Sequence, residues 1–455
     1  MSISLFEQLT ANIPDEMKRL SIPGLALGLL YHGQAFTAGF GVTNVENPLP
    51  VTGKTLFQIG SITKTFTALA AMRLVAAGHL DLDVPARRYL PELRLADQDV
   101  AARVSVRQLF NHTGGWAGDY FDDTGPGDEA LQRILERLER LPQLTPLGEI
   151  WSYNNAGFYI AGRVIEVISG KPYEAALQEL VLDPLGMAPA FFFAHEAITY
   201  RVAAGHSAIF PGQPGPVEVL RPWWLARCAN AVGGLATGVD EMLKYAAFQL
   251  SDGCLPGGKR LLPTAALQEL HNPTVQAANG EQMGVSWFVR TVGGEKVLRH
   301  GGATKGQMAT LQIVPGRQFA IVVLTNSERG SELYTRLVKQ ALKLFLELSD
   351  PEPTPRPFTA EELAEYAGEY DSLGSRLELK PEGDCLWLID HPKGGFPTPD
   401  APPSSTPPPV RIQALRSDAV IVTDEPGMGD QGEFLRDAAG QVAWLRIGGR
   451  VHRRL

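Results

Sequence analysis

Residues 57–78 read FQIGSITKTFTALAAMRLVAAG, and they contain both the clearest helix signal and the clearest chemical signal in the chain. From Ser61 to Ala77 the segment is rich in Ala, Leu, Thr and Met and lacks Pro and Gly, and Gly78 follows as a C-terminal stop. These features predict a helix that begins at Ser61. Because Lys64 lies three residues further on, both side chains project from one face of the first turn, which places an amine beside a hydroxyl.

Ser61 has two possible roles at this position. It can be an ordinary helix cap, although a capping box requires Glu or Gln where Lys64 stands, and a cation opposes the positive end of a helix. It can instead be a nucleophile, if Lys64 is a neutral amine that accepts the Ser61 proton.

Simple magnitudes set a condition on the nucleophile. Lowering the pKa of a lysine from ~10.4 to ~7 requires about 4.6 kcal/mol, whereas a helix terminus contributes ~0.3 to 1 kcal/mol, so burial must supply most of the shift. The same helix end directs backbone N–H groups at the space where an oxyanion would develop. We therefore favour a nucleophilic Ser61 in a buried cleft.

The segments on either side of this helix predict an α+β domain over residues 1–350. An opening helix over residues 6–20 is followed by two strands, helical segments alternate to about residue 270, and strand patterns return between residues 284 and 324. A final helix is predicted from Ser331 to Leu348. Strands at both ends of a helical middle are typical of this fold class.

A proline-rich segment separates this region from a second predicted domain. Four prolines lie between Asp350 and Pro357, a density that neither a helix nor a sheet interior tolerates, so residues 351–357 are predicted to be a stiff linker. Beyond it, short alternating runs with Gly and Asp turns predict a small β-barrel or sandwich over residues 358–455. Residues 392–409 are rich in Pro, Gly and Ser and predict a long loop.

Composition excludes several classes of function. The formal net charge is -9 and no basic run is present, which argues against nucleic acid as a partner. The three cysteines are widely spaced and fit a reducing compartment better than a disulfide framework or a zinc site. The first 20 residues carry no secretion pattern, and the apolar run after them is about half the ~20 residues that span a bilayer. We therefore expect a cytoplasmic protein with no membrane partner.

Two further segments carry candidate functional residues. Residues 151–155 read WSYNN before a predicted helix, where Asn155 can cap the helix and Tyr153 can be a core aromatic. Residues 299–306 read RHGGATKG, in which adjacent glycines permit a ligand to approach the backbone closely. An ordinary glycine-rich turn with a surface His300 is the alternative.

Three short segments form an ordered set when they are taken together. They are Ser61-Ile-Thr-Lys64, Tyr153-Asn-Asn155 and His300-Gly-Gly302. Their order and approximate spacing resemble the three active-site motifs of the penicillin-recognising serine hydrolases, on the side of the class C β-lactamases, D-aminopeptidases and family VIII esterases. The resemblance covers residues 5–348 and includes FQIGS at 57–61, LFNHTGG at 109–115 and DPLGM at 183–187.

This resemblance implies a β-lactamase/transpeptidase-like domain, in which an antiparallel sheet is flanked by helices and accompanied by an all-helical region. The C-terminal segment loosely resembles the lipocalin-like domain of some of these hydrolases, which is a small antiparallel β-barrel. By this analogy we expect the loop at residues 392–409 to reach toward the active-site mouth and to limit substrate size.

The resemblance also implies roles for the residues of the first two motifs. Ser61 is acylated, Lys64 and Tyr153 share proton transfer, and Asn155 holds Lys64 and a substrate amide. A tyrosine with a pKa of ~10 needs an adjacent cation to work as a base at neutral pH, and Lys64 can be that cation. Which of the two deprotonates Ser61 stays open.

The third motif is expected to bind substrate. The resemblance implies an oxyanion hole made by the main-chain N–H groups of Ser61 and Ala303, beside Gly301 and Gly302. Many members have Lys-Thr-Gly at this position to hold a substrate carboxylate. His300 replaces that permanent cation with a group whose ordinary pKa is ~6.5, which weakens recognition of an anionic C-terminus.

The expected function is that of a serine hydrolase with an acyl-enzyme on Ser61. Its predicted substrates are small amides or short peptides, as for a D-aminopeptidase or a DD-peptidase. A carboxylesterase with weak β-lactamase activity is the alternative enzyme, and a catalytically silent scaffold of the same fold is the alternative outside enzymes. We expect no cofactor and no metal, because His112, His206 and His271 lack the clustered spacing of ligands.

Loop aromatics are weaker candidates for a pocket rim, and ordinary packing explains them about as well. They are Trp116, Tyr120, Phe121, Trp223 and Trp224, and Asp119 lies among them. The oligomeric state cannot be predicted from the sequence.

Overall fold

The computed structural model describes residues 2–208, 215–221, 223, 225–425 and 427–455, so Trp224 lies outside the described residues. An eight-stranded antiparallel sheet forms the centre of the N-terminal region. Across the sheet its strands are Gln34–Gly41, Gly24–Tyr31, Phe319–Thr325, Gln307–Val314, Glu295–Thr304, Phe288–Val292, Gln282–Met283 and Val275–Gln276. Strands from the two ends of this region are neighbours, as the predicted α+β class requires, and that class is confirmed.

The sheet is buried on both faces. Along Gly24–Tyr31, Leu25, Leu27 and Leu29 enter one hydrophobic cluster, whereas Ala26 and Leu30 enter the other. Because successive side chains of a strand point to opposite faces, a strand between two cores has a continuous apolar sequence. The run that reads GLALGLLY has this property.

Helices cover both faces of the sheet and build the all-helical region beside it. The longer ones are Thr63–Ala76, Ala156–Ser169, Val239–Gln249, Thr264–His271 and Gly330–Leu346, and shorter ones include Gln98–Arg103, Val106–Phe110, Ala130–Leu135 and Tyr173–Leu177. The predicted opening helix is instead two helices, Ser2–Thr10 and Ile13–Leu20. Pro14 explains the break, because a proline is tolerated in the first turn of a helix and not in its interior.

The helix Thr63–Ala76 is the central helix of the molecule. A 3₁₀ turn, Gly60–Ile62, precedes it, and Ser61 lies in that turn rather than in the α-helix itself. Most of the helix is buried on all sides, which its even distribution of apolar residues requires. The strand Glu295–Thr304 packs against the 3₁₀ turn and so brings the third motif to Ser61.

The C-terminal region is a closed barrel of eight antiparallel strands. Its strands are Gly368–Asp371, Ser375–Glu382, Cys385–Pro392, Val410–Arg416, Ala419–Val422, Gln431–Arg436, Val442–Ile447 and Arg450–Arg454, and the helix Ala360–Tyr366 precedes them. The barrel or sandwich that the sequence predicts is therefore a barrel. Its core includes Tyr370, Leu386, Ile412, Phe434 and Leu445.

The predicted linker has no regular structure over residues 351–355. Arg356 then exchanges backbone hydrogen bonds with Ala414 of the barrel, and Phe358 belongs to the barrel core. The domain boundaries at residues 350 and 358 stay a prediction. In the part of the chain that the structure describes, no helix is both long and apolar enough to cross a membrane.

Candidate active site

The three sequence motifs meet at one cavity of about 380 Å³, which we call the Ser61 cavity. Ser61 and Tyr153 line it together with residues 300–303, which include His300, Gly301, Gly302 and Ala303. Lys64 and Asn155 lie behind this wall, and Lys64 contacts it through Ser61. Segments far apart in the sequence thus converge on one serine hydroxyl.

Lys64 is fully buried beside Ser61. Its Nζ is 3.0 Å from Ser61 Oγ and donates a hydrogen bond to the carbonyl oxygen of Val232 at 2.9 Å. Burial lowers the pKa of Lys64 well below its usual value, and the charge of Arg450 lowers that pKa further, while Asp119 opposes the shift. A neutral amine beside the hydroxyl is the form that can accept the Ser61 proton.

The backbone around Ser61 shows no helix cap made by its side chain. Neither the 3₁₀ turn nor the helix Thr63–Ala76 has a side-chain cap at its start. The hydroxyl that bonds back to the turn is that of Thr63, which donates to the Gly60 carbonyl at 2.7 Å. Ser61 Oγ therefore faces Lys64 and the cavity, and the cap alternative has no hydrogen bond to support it.

The Tyr153 ring lies between Lys64 and Arg450. Lys64 Nζ is 5.0 Å from the ring centroid, and the Arg450 guanidinium carbon is 4.6 Å from it. Burial raises the pKa of Tyr153 to about 12, against the opposing effects of a hydrogen bond with Ser61 and of the Arg450 charge. At neutral pH the phenol is therefore protonated and can donate a proton.

Asn155 belongs to a charged network rather than to a helix cap. Its Nδ2 donates to Asp119 at 2.6 Å, and Arg450 Nε donates to the other oxygen of Asp119 at 2.9 Å. Burial alone would raise the pKa of Asp119, but the pairing with Arg450 and the bond from Asn155 bring this pKa below its usual value. Asn154 makes the cap, because its Oδ1 accepts from the Gly157 N–H at 2.8 Å.

The contact of Asn155 with Lys64 that the family resemblance implies does not appear as a hydrogen bond among the described residues. The Lys64 amine uses the Val232 carbonyl instead. Asp119 holds Asn155 by a bond that fixes the orientation of its amide, so Asn155 Oδ1 is presented away from the carboxylate.

Two glycines allow the 3₁₀ turn and the third motif to approach closely. A Cβ on Gly302 would overlap the carbonyl oxygen of Ile59 and lie 3.1 Å from the Ser61 nitrogen. Gly60 has a φ of 53°, and a Cβ there would lie 2.5 Å from the Ala303 nitrogen. Main-chain nitrogens of Ser61 and Ala303 are thereby held near each other, as an oxyanion hole requires.

His300 is a buried and neutral side chain. Burial lowers the pKa of His300 to about 3, and the charge of Lys64 acts in the same direction. Its Nδ1 is 2.6 Å from the Gly301 carbonyl oxygen, and its Nε2 has no hydrogen-bond partner within the described part of the chain. His300 therefore supplies no permanent cation to the Ser61 cavity.

Comparison with known proteins agrees with this geometry. A family model described as Beta-lactamase matches residues 9–343. The chain belongs to the β-lactamase family. A penicillin-binding protein 4 from Amycolatopsis lactamdurans is 31% identical over 364 residues, which cover 78% of this chain and 94% of that protein. Esterase EstB from Burkholderia gladioli is 33% identical over 232 residues, or 48% of this chain and 57% of the esterase.

A solved structure extends the similarity into the barrel. The crystal structure of SurE with D-Leu covers 99% of this chain and 100% of its own, with a TM-score of 0.75 and 25% identity. Membership of the β-lactamase family and these relatives make the chain a serine hydrolase, as the sequence predicts.

The barrel of this β-lactamase-family chain completes the wall of the Ser61 cavity. The hairpin between the last two strands contributes Gly448, Gly449 and Arg450 to the lining. The Tyr153 N–H donates to the Gly449 carbonyl at 2.9 Å, and the Val451 N–H donates to Ser152 Oγ at 3.2 Å. The hairpin thus binds the backbone of the second motif directly.

Arg450 is a residue of the site that no pattern in the sequence predicted, although Asp119 was among the weaker candidates. The strand Arg450–Arg454 reads RVHRR, which lacks the apolar alternation by which a strand is found. Its pairing with the neighbouring strand Val442–Ile447 in the closed barrel is what places it at the motif. Two adjacent glycines before Arg450 are the signal that was available, since they permit a tight hairpin.

His112 was interpreted as a structural histidine and lies against Tyr153. Its ring centroid is 4.4 Å from that of Tyr153, and its Nδ1 accepts from the Asn154 N–H at 3.1 Å. Burial lowers the pKa of His112 well below its usual value, so the ring is neutral. It supports the second motif through packing and one hydrogen bond.

The loop at residues 392–409 lies beside the segment that holds Asp119 and lines the barrel cavity, and its role in limiting substrate size stays a prediction. Its Phe396 ring packs against Phe121 with centroids 4.8 Å apart. Pro407 and Pro408 line a cavity of the barrel, and no residue of this loop is among those that line the Ser61 cavity. The loop approaches the active site through the segment that holds Asp119 and through the barrel cavity, which shares Asp430, Gly448 and Arg450 with the Ser61 cavity.

Proposed function

We propose that the chain hydrolyses small amides and short peptides through an acyl-enzyme on Ser61. The observation that carries this proposal is the 3.0 Å contact between Ser61 Oγ and the buried amine of Lys64. Burial lowers the pKa of that amine well below its usual value, which is the direction that a nucleophilic serine requires.

The protonation states assign roles to Lys64 and Tyr153. As Ser61 Oγ bonds to the carbonyl carbon, its proton passes to Lys64 Nζ, and the developing oxyanion accepts hydrogen bonds from the N–H groups of Ser61 and Ala303. The Tyr153 hydroxyl gives its proton to the leaving nitrogen as the C–N bond breaks, and the Lys64 ammonium then reprotonates the phenolate. Water releases the acyl group by the same transfers in reverse order.

Similarity supports a preference for substrates with D-residues. The SurE structure that matches this chain over both regions was solved with D-Leu. We therefore propose D-aminopeptidase-like or DD-peptidase-like activity on compounds whose D-residue occupies the Ser61 cavity. Asn155, which Asp119 orients, and the neutral His300 are proposed to contact the substrate amide.

Covalent labelling tests the acyl-enzyme. Treatment with a fluorophosphonate or a penicillin is expected to add one adduct to the intact chain, located on Ser61 by peptide mass spectrometry. Ser61→Ala is expected to abolish the adduct and leave the melting temperature nearly unchanged, because the hydroxyl caps no helix. A wild-type chain without any adduct would instead favour a catalytically silent scaffold.

A carboxylesterase is the second candidate, because esterase EstB is 33% identical to this chain. Comparison of kcat/KM for D-alanyl and D-phenylalanyl amides with kcat/KM for p-nitrophenyl acyl esters separates the two. We expect the D-amides to be turned over, whereas L-amides of equal size serve as the matched control. Rapid ester hydrolysis with no detectable amide turnover would assign the chain to the esterases.

A further inference from the structure

A second cavity, of about 390 Å³, lies at the mouth of the barrel, and we call it the barrel cavity. It shares three lining residues with the Ser61 cavity, namely Asp430, Gly448 and Arg450. The hairpin that closes the Ser61 cavity on one side therefore also forms a wall of the barrel cavity. A substrate that extends past this hairpin would enter the barrel.

Part of the wall of the barrel cavity is apolar, as in a binding site for a compound with a hydrocarbon portion. This part includes Leu377, Leu388, Val410, Val422 and Ile447. Apolar walls favour the methylene stem of a long side chain, while the polar groups among them determine which terminal group is accepted.

Two carboxyl groups of the barrel cavity have no cationic partner among the described residues. Asp390 and Asp430 both line it, and within the described residues neither carboxylate is in an ion pair. Asp390 Oδ1 is buried without a hydrogen-bond partner there. Among the described lining residues Arg450 has the only guanidinium, and it is already paired with Asp119. The described part of the lining thus has acceptors for a cation but no free cation.

His452 adds an independent buried polar atom at the wall of the barrel cavity. Its side chain lines the barrel cavity and the residue is only 5% exposed, while its Nδ1 has no hydrogen-bond partner among the described residues. The other ring nitrogen contacts Ser375 Oγ at 3.1 Å. Buried polar atoms are normally paired, so unpaired atoms at the wall of a cavity indicate a polar ligand.

We propose that the barrel cavity is a substrate subsite for a basic group, an ammonium or a guanidinium, of an elongated peptide whose scissile carbonyl lies at Ser61. Asp390 binds the cationic head, Asp430 adds a carboxylate on the side shared with the Ser61 cavity, and the apolar part of the wall holds the methylene stem. This proposal rests on the proposed function for the location of the scissile bond. It names the substrate class as peptides that carry a Lys-like or Arg-like side chain remote from the bond that is cleaved.

Equilibrium binding tests the subsite without catalysis. The full chain carrying Ser61→Ala is titrated with two fluorescent D-residue peptides that differ only by lysine or norleucine at one position, and this position is moved along the peptide. At one position the lysine peptide is expected to bind about tenfold tighter than its norleucine partner, because one charge-assisted contact is gained. This ratio is expected to fall as salt is added.

Variants of the two carboxylates test whether the lysine preference arises in the barrel cavity. Asp390→Asn and the double change Asp390→Asn with Asp430→Asn are expected to bring the lysine-to-norleucine ratio close to one. Asp400→Asn is the matched control, because Asp400 is an exposed carboxylate of the same barrel outside the cavity, and the ratio is expected to persist. Melting temperatures confirm that each variant is folded.

The outcomes separate this proposal from the proposed function. Equal binding of the two peptides at every position, or a lysine preference that survives in the double variant, would overturn the subsite. Labelling of wild-type Ser61 by a fluorophosphonate is independent of both results. If Ser61 is labelled but the lysine peptide binds no more tightly, the proposed hydrolase stands and the subsite is wrong. If Ser61 is not labelled but the lysine peptide binds more tightly, only the binding site stands.

Discussion

At the scale of single residues, the active site depends on moving two pKa values in opposite directions. Burial lowers the pKa of Lys64 well below its usual value and raises that of Tyr153 to about 12, which favours the neutral form of both groups beside one hydroxyl. The charge of Arg450 lowers both pKa values, so it favours the neutral amine of Lys64 and opposes the rise in the pKa of Tyr153. Arg450 touches the second motif through the Tyr153 ring and acts on the first motif at longer range.

Replacement of Arg450 should therefore move the pH profile of kcat/KM. In Arg450→Gln the pKa of Lys64 rises. The acidic limb of the profile, where kcat/KM falls because the amine becomes protonated, therefore moves to higher pH. The pKa of Tyr153 rises too, and the alkaline limb moves in the same direction. At pH 7 we expect kcat/KM to fall about tenfold, which corresponds to ~1.4 kcal/mol.

Arg450→Lys is the matched control, because it keeps the positive charge and loses the paired geometry with Asp119. The acidic and alkaline limbs of the Arg450→Lys profile should stay near their wild-type pH values. The pH profiles of kcat/KM, measured with one ester substrate in the same buffers, show whether the limbs move. An acidic limb that does not move in Arg450→Gln would mean that burial alone sets the state of Lys64.

At the scale of elements, the close approach of a strand to a 3₁₀ turn creates the proposed oxyanion hole. Gly302→Ala places a Cβ against the Ile59 carbonyl, which is backbone and cannot move aside cheaply. The strand must shift away from the turn, and we expect kcat to fall by about 10²- to 10³-fold with a smaller change in KM. Unfolding should also become easier by ~1–3 kcal/mol.

Gly301→Ala provides the comparison within the same strand. A Cβ on Gly301 would meet its nearest atoms at 3.8 and 4.0 Å, which is ordinary contact. The loss of kcat should therefore be far smaller than in Gly302→Ala, and the melting temperature should change little. Equal losses in the two variants would show that the turn and the strand can separate without harm to catalysis.

Local patterns explain which elements the sequence could predict. The helix after Ser61 was found because it lacks Pro and Gly and ends at Gly78, and the first motif could be placed on it. The same reasoning named Asn155 as the possible cap, whereas Asn154 makes the capping bond, because both are good capping residues and only the path of the chain decides.

Other parts of the site depend on contacts that no local pattern contains. Arg450 reaches Tyr153 because a barrel closes and turns one hairpin toward the second motif, and its charged strand has no apolar alternation. The salt bridge from Arg450 to Asp119 joins residues 331 positions apart. The sequence indicated that Lys64 must be buried if Ser61 is the nucleophile. The residues that bury Lys64 could be identified only from the packed structure.

At the scale of the whole molecule, the active site is shared between two regions of the chain. The barrel contributes Arg446, which donates to the Trp151 carbonyl at 3.0 Å and to the Ala277 carbonyl at 3.1 Å. Trp444 Nε1 adds a bond to the Leu144 carbonyl at 3.0 Å. These bonds keep the barrel in a fixed position against the second motif, so the size of the entrance is set by both regions.

The loop at residues 392–409 is the part of the barrel that we still propose to limit substrate size. It connects two neighbouring strands, Cys385–Pro392 and Val410–Arg416, so a short turn can replace it without separating them. Removal of Pro407 and Pro408 opens one wall of the barrel cavity, and removal of Phe396 frees Phe121. We expect the ratio of kcat/KM for long over short peptide substrates to rise several-fold in the shortened chain.

A variant whose loop has the same length but consists of Gly and Ser distinguishes the effect of loop length from the effect of loop sequence. If bulk alone limits entry, this variant keeps the wild-type ratio, whereas a rise as large as in the shortened chain would assign the effect to the Phe396 contact and the prolines. Labelling of Ser61 should persist in both variants, because the loop does not line the Ser61 cavity. An unchanged ratio in the shortened chain would show that the hairpin of residues 448–450 sets substrate size without help from the loop.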